Sequence, residues 1–251
     1  MRTRQFFACR AMTAAVLIAG AAQAQAQGDL TLATLGCMLQ PSKKVEVSSP
    51  VPGVLEVVDI RRGDQVKVGE TLFKLRAGVE KAKVELTRVR ADFASRASKR
   101  NEELYADDLL SIHERDEVET DLLLAQMELR LAEEELALRE VYSPINGVVV
   151  DRLLDVGEYV NVDPVLRLAT LDPLHVDLLL PAEYFGRIAV GQKLNIVAQS
   201  ALQQPREASV STVDPLIDPA SGTFRVQLSM SNKDNSIPAG LRCSAHLIEE
   251  P

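Results

Sequence analysis

The sequence predicts a multidomain α+β chain in which a β-sandwich is split by an antiparallel coiled-coil α-hairpin and followed by a small β-barrel. Three observations predict this architecture: an internal repeat of strand-forming segments, a helix-forming stretch between its two copies, and a run of short strands over the last third of the chain. The 251 residues are enough for several small domains. Because aromatic residues make up only 4% and Trp is absent, the cores must be built from Val, Leu, Ile and Ala.

The repeat comprises residues 49–75 and 143–168, and a shift of 94 positions aligns the two copies without gaps. Eight identical pairs result: Ser49/Ser143, Pro50/Pro144, Gly53/Gly147, Val54/Val148, Gly63/Gly157, Val66/Val160, Val68/Val162 and Leu72/Leu166. Short β-branched runs separated by Gly are typical of strands and tight turns. The four paired glycines are therefore assigned to structural turns. Each copy is too small to bury a core alone, so we expect the two copies to face each other in one sandwich.

The stretch between the copies is predicted to form two helices. It contains no Pro or Gly from Val79 to Glu140 and is rich in Ala, Leu, Glu, Arg and Lys. Apolar residues follow a heptad spacing in both halves, which predicts a coiled-coil seam formed by Val79, Ala82, Leu86, Val89 and Phe93 with Val118, Leu122, Ala125, Leu129, Ala132 and Leu136.

The two helices are predicted to be separated near Asp107 to Ser111. Ser111 is a good N-cap, and Glu114 three residues later completes a capping box. A single continuous helix of about 60 residues would hold the two repeat copies roughly 90 Å apart. A hairpin that returns to its starting point is therefore favoured.

The remainder of the chain predicts a small barrel. Strand-forming segments begin at His175, Gln192, Glu207, Thr223 and Leu241 and are separated by turns, with a short helix-like stretch over 182–188. Gly222 and Gly240 are assigned to structural turns in this region.

The first 26 residues are predicted to be a secretory signal peptide. Arg2 and Arg4 precede an apolar run over 11–22, and cleavage is expected after Ala24 or Ala26. An uncleaved anchor is the alternative, but about 12 apolar residues give roughly 18 Å of helix, whereas a bilayer core is roughly 30 Å thick. We therefore expect an exported protein.

Export would leave two cysteines in an oxidising compartment. Cys37 and Cys243 could form a disulfide if both chain ends return to the same pole, or they could be two small buried residues. Lipidation would need a Cys directly after the apolar run, whereas Cys9 precedes the run and Cys37 lies well beyond it.

Composition and motifs exclude two classes of function. The formal net charge of −8 argues against a nucleic-acid partner, because phosphate binding needs clustered Lys and Arg. His113, His175 and His246 fall in separate predicted elements without metal-ligand spacing, and no nucleophile motif is present. We therefore expect no enzymatic activity, no metal and no cofactor.

The order of these parts resembles that of the periplasmic adaptor subunits, also called membrane fusion or HlyD-like proteins, of RND and ABC transporters. By this resemblance the sandwich is lipoyl-like. The implied division is a signal peptide over 1–26, an N-terminal segment with a first strand over 27–47, lipoyl-like halves over 48–77 and 142–172, a coiled-coil hairpin over 78–141 and a β-barrel domain over 173–251.

The resemblance also implies a partner-binding site at the hairpin tip. Family members carry Arg-Leu-x-x-Leu, four further residues and Ala-x-Ser in this region, a pattern associated with docking on TolC-like outer-membrane channels. The matching positions here are Arg100, Leu104 and Ser111, with Asp116 five residues later. This sequence departs from the pattern at two positions, where Asn101 replaces Leu and Leu109 replaces Ala.

The function implied by the resemblance is that of a periplasmic adaptor, peripheral to the inner membrane, that links an RND or ABC transporter to a TolC-like channel. Homo-oligomerisation in the assembled pump is also implied. An adaptor of a type I secretion system is one alternative. A biotin or lipoate carrier is another, although here the turn that would present the modified Lys is occupied by the helical insertion, and export removes the chain from cytosolic ligases.

Overall fold

The computed structural model describes residues 34–199 and 204–247, so the predicted signal peptide lies outside the described residues. The strands are β1 (Gly36–Ser48), β2 (Gly53–Val57), β3 (Gln65–Val66), β4 (Thr71–Leu75), β5 (Glu140–Tyr142), β6 (Gly147–Arg152), β7 (Tyr159–Val160), β8 (Pro164–Pro181), β9 (Lys193–Ala198), β10 (Pro205–Val213), β11 (Thr223–Met230) and β12 (Cys243–Leu247). The helices are α1 (Gly78–Ala106) and α2 (Ile112–Ala137). Neither helix in the described ranges has the length and hydropathy needed to cross a bilayer.

The two repeat copies complete each other in the sandwich. Strand β2 of the first copy pairs with β7 of the second, with Gly53 opposite Val160. The equivalent pairing joins β3 to β6, with Val66 opposite Gly147. Gly53 and Gly147 therefore each lie opposite a repeat valine of the other copy. Among the residues buried between the copies are Leu72, Phe73, Val149, Val165 and Leu166.

The repeat glycines are required for two different reasons, positive φ in turns and close packing between strands. Gly63 and Gly157 have φ of 93° and 95°, as the predicted turns require, and Gly222 and Gly240 also have positive φ. Gly53 and Gly147, in contrast, begin strands β2 and β6, so their assignment to turns is wrong. A Cβ on Gly147 would overlap the carbonyl oxygen of Ala169, which shows that close strand packing sets this position.

The barrel is formed by six strands in the order β1, β8, β11, β10, β9 and β12. It closes where β12 returns to β1, because the Leu39 amide donates to the Leu241 carbonyl at 2.9 Å and Met38 bridges Arg242. A disulfide joins Cys37 to Cys243 at the same seam, with a Cα–Cα distance of 5.0 Å. The short helix expected over 182–188 is a single 3-10 turn, Ala182–Tyr184.

The long strands β1 and β8 run through both β domains, so the division expected near residue 172 falls inside β8. The C-terminal part of β1 pairs with the N-terminal part of β8 in the sandwich, where Val47 lies opposite Leu166. The N-terminal part of β1 pairs with the C-terminal part of β8 in the barrel, where Leu39 lies opposite Val176. This shared pair of strands connects the two β domains.

Helices α1 and α2 pack antiparallel on each other. Ion pairs join Lys83 to Glu135, Arg88 to Glu133 and Arg90 to Glu128 along their length. The seam predicted for α2 is the less exposed face of that helix, with Ala132 fully buried.

The seam predicted for α1 is wrong. Val79, Leu86, Val89 and Phe93 are exposed, and the buried side chains are those of Val84, Thr87 and Ala91. Val84, Thr87 and Ala91 therefore form the packed face of α1, and the larger side chains of Leu86 and Phe93 lie on its outer face.

Candidate partner-binding site at the hairpin tip

The hairpin tip is a five-residue turn between the end of α1 at Ala106 and the start of α2 at Ile112. The Leu109 amide donates to the Leu104 carbonyl at 2.9 Å, and the Asp107 amide donates to the Glu103 carbonyl at 3.2 Å. Asp108 reverses the chain with φ of 58°, a conformation that Asp tolerates better than most residues. The last turn of α1 thereby holds Leu109 next to Leu104.

Ser111 and Glu114 form the predicted capping box. The Glu114 amide donates to the Ser111 hydroxyl at 3.3 Å, and the Ser111 amide donates to the Glu114 carboxylate at 2.9 Å. The Ser111 amide, followed by its hydroxyl, lowers the pKa of Glu114 by hydrogen bonding to the charged carboxylate. Ser111 therefore fixes the start of α2, in addition to any role in binding.

A cluster around Arg115 ties the two helices together below the tip. The Arg115 guanidinium lies 3.2 Å from Glu119 on α2 and 3.8 Å from Glu102 on α1. It also lies over the Tyr105 ring, 4.9 Å from the centroid. Sequence reasoning missed this cluster. The spacing of four between Arg115 and Glu119 was the available signal, but the contacts to α1 depend on the hairpin register.

The five residues predicted for the site are all at the surface. Leu104, Leu109 and Ser111 lie at the tip, and Arg100 and Asp116 lie six and four residues from the helix ends that meet there. Ile112 is a residue that sequence reasoning did not single out, and it adds to this surface. The exposed fractions are 40% for Leu104, 68% for Leu109 and 63% for Ile112. The tip thus presents three apolar side chains between Arg100 and Asp116, an arrangement suited to packing against other helices.

The base of the hairpin is anchored in the sandwich by Arg139. Its guanidinium donates to the Glu80 carboxylate of α1 at 2.7 Å and to the Pro52 carbonyl at 2.9 Å. Beside it, Lys74 forms an ion pair of 2.8 Å with Glu140 and lowers the pKa of that carboxyl. These contacts hold the start of α1 and the segment that follows α2 against the sandwich.

The described residues contain no group of three or more His, Cys, Asp and Glu side chains placed to hold a metal ion. The Ser111 hydroxyl donates to the Glu114 carboxylate at 2.7 Å, and this pair caps α2. The chemistry that the side chains of the tip offer is that of a protein contact: apolar surface, the Arg100 guanidinium, and the exposed carboxylates of Asp107, Asp108 and Asp116.

Comparisons with known proteins place this geometry in a family. Residues 43–169 match the CzcB-like barrel-sandwich hybrid domain, and residues 174–251 match the CusB-like β-barrel domain. The multidrug efflux pump subunit AcrA of Escherichia coli is 23% identical over 233 residues, which cover 81% of this chain and 59% of AcrA. The multidrug resistance protein MdtA of Photorhabdus laumondii is 25% identical over 227 residues, which cover 81% of this chain and 56% of MdtA.

The fold is also that of solved proteins of this kind. A MacA-MexA chimera carrying the α-hairpin domain of Pseudomonas aeruginosa MexA superposes with a TM-score of 0.74 at 18% identity, covering 85% of this chain and 80% of the chimera. The chain spans between half and three fifths of the length of AcrA, MdtA and most other curated relatives that it matches. The family matches together cover most of the chain, and the chain therefore belongs to the periplasmic adaptor, or membrane fusion protein, family of efflux systems.

Proposed function

We propose that this protein is a periplasmic adaptor that links an inner-membrane RND or ABC transporter to a TolC-like outer-membrane channel. The observation that carries the proposal is the hairpin itself: two antiparallel helices that leave the sandwich at Arg139 and end in the exposed apolar side chains of Leu104, Leu109 and Ile112. Family membership supports the same function. In this proposal the protein acts in the periplasm as a homo-oligomer and catalyses no reaction.

The dimensions of the hairpin suit a connecting arm. Helix α1 has 29 residues and is therefore about 43 Å long. The base contacts of Arg139 would transmit the position of the tip to the sandwich, which shares β1 and β8 with the barrel. A contact made at the tip can thus be coupled mechanically to one made at the barrel, without a catalytic group.

The experiment is in vivo crosslinking followed by purification of the chain from its native cell envelope. We expect the wild type to recover both a transporter and an outer-membrane channel. The variants Arg100→Asp and Leu109→Asp should each recover at least tenfold less channel than the wild type and the same amount of transporter. The reason is that burying an uncompensated charge in a helical interface costs several kcal/mol. Lys99→Asp is the matched control: it makes the same charge change one residue away, on another side of α1, and should retain both partners.

Two outcomes contradict the proposal. Either the wild type recovers no channel, or both tip variants recover the channel as efficiently as the wild type. Mass spectrometry of the recovered transporter then distinguishes an RND or ABC efflux pump from a type I secretion system. Mass spectrometry of the adaptor itself tests the carrier alternative, which requires biotin or lipoate on a Lys.

A further inference from the structure

A polar cleft with a volume of about 520 Å³ lies where the sandwich meets the barrel, and both β domains contribute to its walls. Its polar lining side chains are Gln65, Lys67 and Asn146 from the two repeat copies, Asp172 from β8, and Lys233 and Asn235 from the connection between β11 and β12. Ligand sites of proteins are clefts of roughly 300–1,000 Å³ and occur preferentially at domain interfaces. The size and the position of this cleft are therefore those of a small-molecule site.

Lys67 and Lys233 bring two ammonium groups to this cleft, one from each β domain. Both side chains are exposed, and within residues 34–199 and 204–247 neither ammonium forms a hydrogen bond or an ion pair. The carboxylates nearest to them in the sequence bond elsewhere. Glu70 accepts the backbone amide of Lys67 at 2.9 Å, and Asp234 pairs with Arg206 at 3.5 Å. The two positive charges are thus left for an anion.

The sandwich wall of the cleft holds an amide donor in a fixed position. Asn146 Oδ1 accepts the backbone amide of Val68 at 2.9 Å, and the carbonyl oxygen of Asn146 accepts the Thr170 hydroxyl at 2.9 Å. These two hydrogen bonds fix both the side chain and the backbone of Asn146. Its Nδ2 group has no partner in the part of the chain that the structure describes, so it can donate to a ligand.

The barrel wall is fixed by Asn232, which is 1% exposed. Its backbone amide donates to the Asp172 carboxylate at 2.8 Å. Its side-chain amide donates to the carbonyls of Leu171 and Ile237, both at 3.0 Å. Because Lys233 follows directly, its backbone is held at the edge of the cleft. The second carboxylate oxygen of Asp172 has no partner among the described residues and can accept a hydrogen bond from a ligand.

We propose that this cleft binds a small, soluble phosphate monoester that carries hydroxyl groups. The phosphate oxygens accept from the ammonium groups of Lys67 and Lys233 and from Asn146 Nδ2, which gives charge-assisted hydrogen bonds from both β domains. A hydroxyl of the ester donates to Asp172, whereas inorganic phosphate alone would leave that carboxylate unpaired beside an anion. The bound ester would connect the sandwich to the barrel, in addition to β1 and β8. This inference goes beyond the proposed function and does not depend on it.

The experiment is a titration of the full exported chain, labelled with ¹⁵N, with glycerol phosphate at constant ionic strength. We expect saturable shifts in the side-chain amide of Asn146 and in the backbone amides of residues 65–68 and 232–236. Orthophosphate is the second probe and should bind several-fold more weakly, because it has no hydroxyl group to offer to Asp172. Added sodium chloride should weaken the binding of both probes, since salt screens exposed charges.

Substitutions in the two walls give independent readouts. Lys67→Gln and Lys233→Gln should each weaken the binding of glycerol phosphate by about tenfold, because each removes one charge-assisted hydrogen bond. Lys99→Gln is the matched control, since it makes the same charge change at an exposed position of the hairpin. Asn146→Asp keeps an oxygen for the Val68 amide but replaces the donor with a negative charge. It should therefore lose binding while its unfolding midpoint stays close to that of the wild type.

A lipid headgroup is the other source of a phosphate ester, and sedimentation with phosphatidylglycerol vesicles distinguishes it. We expect the vesicles to recover equal amounts of the wild type and of the double variant Lys67→Gln, Lys233→Gln. A clear loss in the double variant would overturn the proposal of a soluble ligand in favour of a membrane.

Three results of the titrations also overturn the proposal. The wild type shows no saturable shift, Lys99→Gln weakens binding as much as Lys67→Gln, or orthophosphate binds as tightly as glycerol phosphate. These measurements require neither transporter nor channel, so their failure leaves the tip experiment interpretable.

Discussion

At the scale of single residues, the pairing of the repeat copies explains why position 147 is a glycine. The sequence pattern predicted a turn at Gly147, but this residue lies in a strand. Gly147 lies at the start of β6, opposite Val66 of the other copy and next to the backbone of Ala169 on β8. The sequence shows that Gly recurs at this repeat position, but it does not show whether a turn or a close approach demands it. Only the placement of β8 against β6 distinguishes the two.

Gly147→Ala should destabilise the sandwich by about 1–3 kcal/mol, because the added methyl overlaps a backbone carbonyl that cannot move alone. Gly78→Ala is the matched control, since its Cβ would meet no atom within 4 Å and Ala is the better helix former. Chemical denaturation of both variants measures the difference. Equal unfolding midpoints for Gly147→Ala and the wild type would show that β8 relaxes away from β6.

The capping box at the tip predicts a local pH dependence. The folded-state pKa of Glu114 is lowered, so its contribution is present above the unfolded-state pKa and is lost as the pH falls through the folded-state pKa. The protection factors of the amides in the first turn of α2, which compare observed with intrinsic exchange rates, should therefore fall in acid. Glu114→Ala should remove this dependence, and Ser111→Ala should weaken the cap by about 0.5–2 kcal/mol. An unchanged acid response in Glu114→Ala would contradict the assignment.

At the scale of elements, the sequence predicted the two helices, the turn and the cap, but the seam of only one helix. The apolar pattern predicted for helix α2 is its packed face. Helix α1 contains two heptad patterns. One has large side chains at Val79, Leu86 and Phe93, and the other has Val84, Thr87 and Ala91, with smaller or more polar side chains. Hydrophobicity alone favours the first pattern, whereas the structure buries the second between the two helices.

Val84→Asp should therefore unfold the part of the hairpin nearest the sandwich, because it places a carboxylate in a buried position without a partner. Leu86→Asp, two residues away on the exposed face, should leave monomer stability within about 0.5 kcal/mol of the wild type. Circular dichroism at 222 nm, followed through thermal unfolding at low protein concentration, compares the two. Greater loss in Leu86→Asp than in Val84→Asp would restore the seam first predicted for α1.

At the scale of the whole molecule, the split sandwich could be predicted because its two copies share a sequence pattern. The continuity of β1 and β8 could not, since Pro41 and Pro173 resemble strand breaks. Pairing passes from Pro41 opposite Leu174 to Lys43 opposite Thr170, so the prolines fall at an irregularity that bends the ladder without ending it. The tip residues were predicted from a family resemblance, and the contacts that hold them in place depend on the register of the hairpin.

The disulfide affects the stability of the whole fold, because Cys37 and Cys243 are 206 residues apart and join the first and last strands of the barrel. In the chain-entropy model, closing a loop of this length stabilises the fold by up to about 5 kcal/mol. The exported protein, unfolded without reductant, should contain no free thiol. The double variant Cys37→Ser, Cys243→Ser should unfold at a clearly lower denaturant concentration than the oxidised wild type, and reductant should shift only the wild type. Two titratable thiols in the unreduced protein, or a wild-type midpoint that does not respond to reductant, would show that the two cysteines are merely buried neighbours.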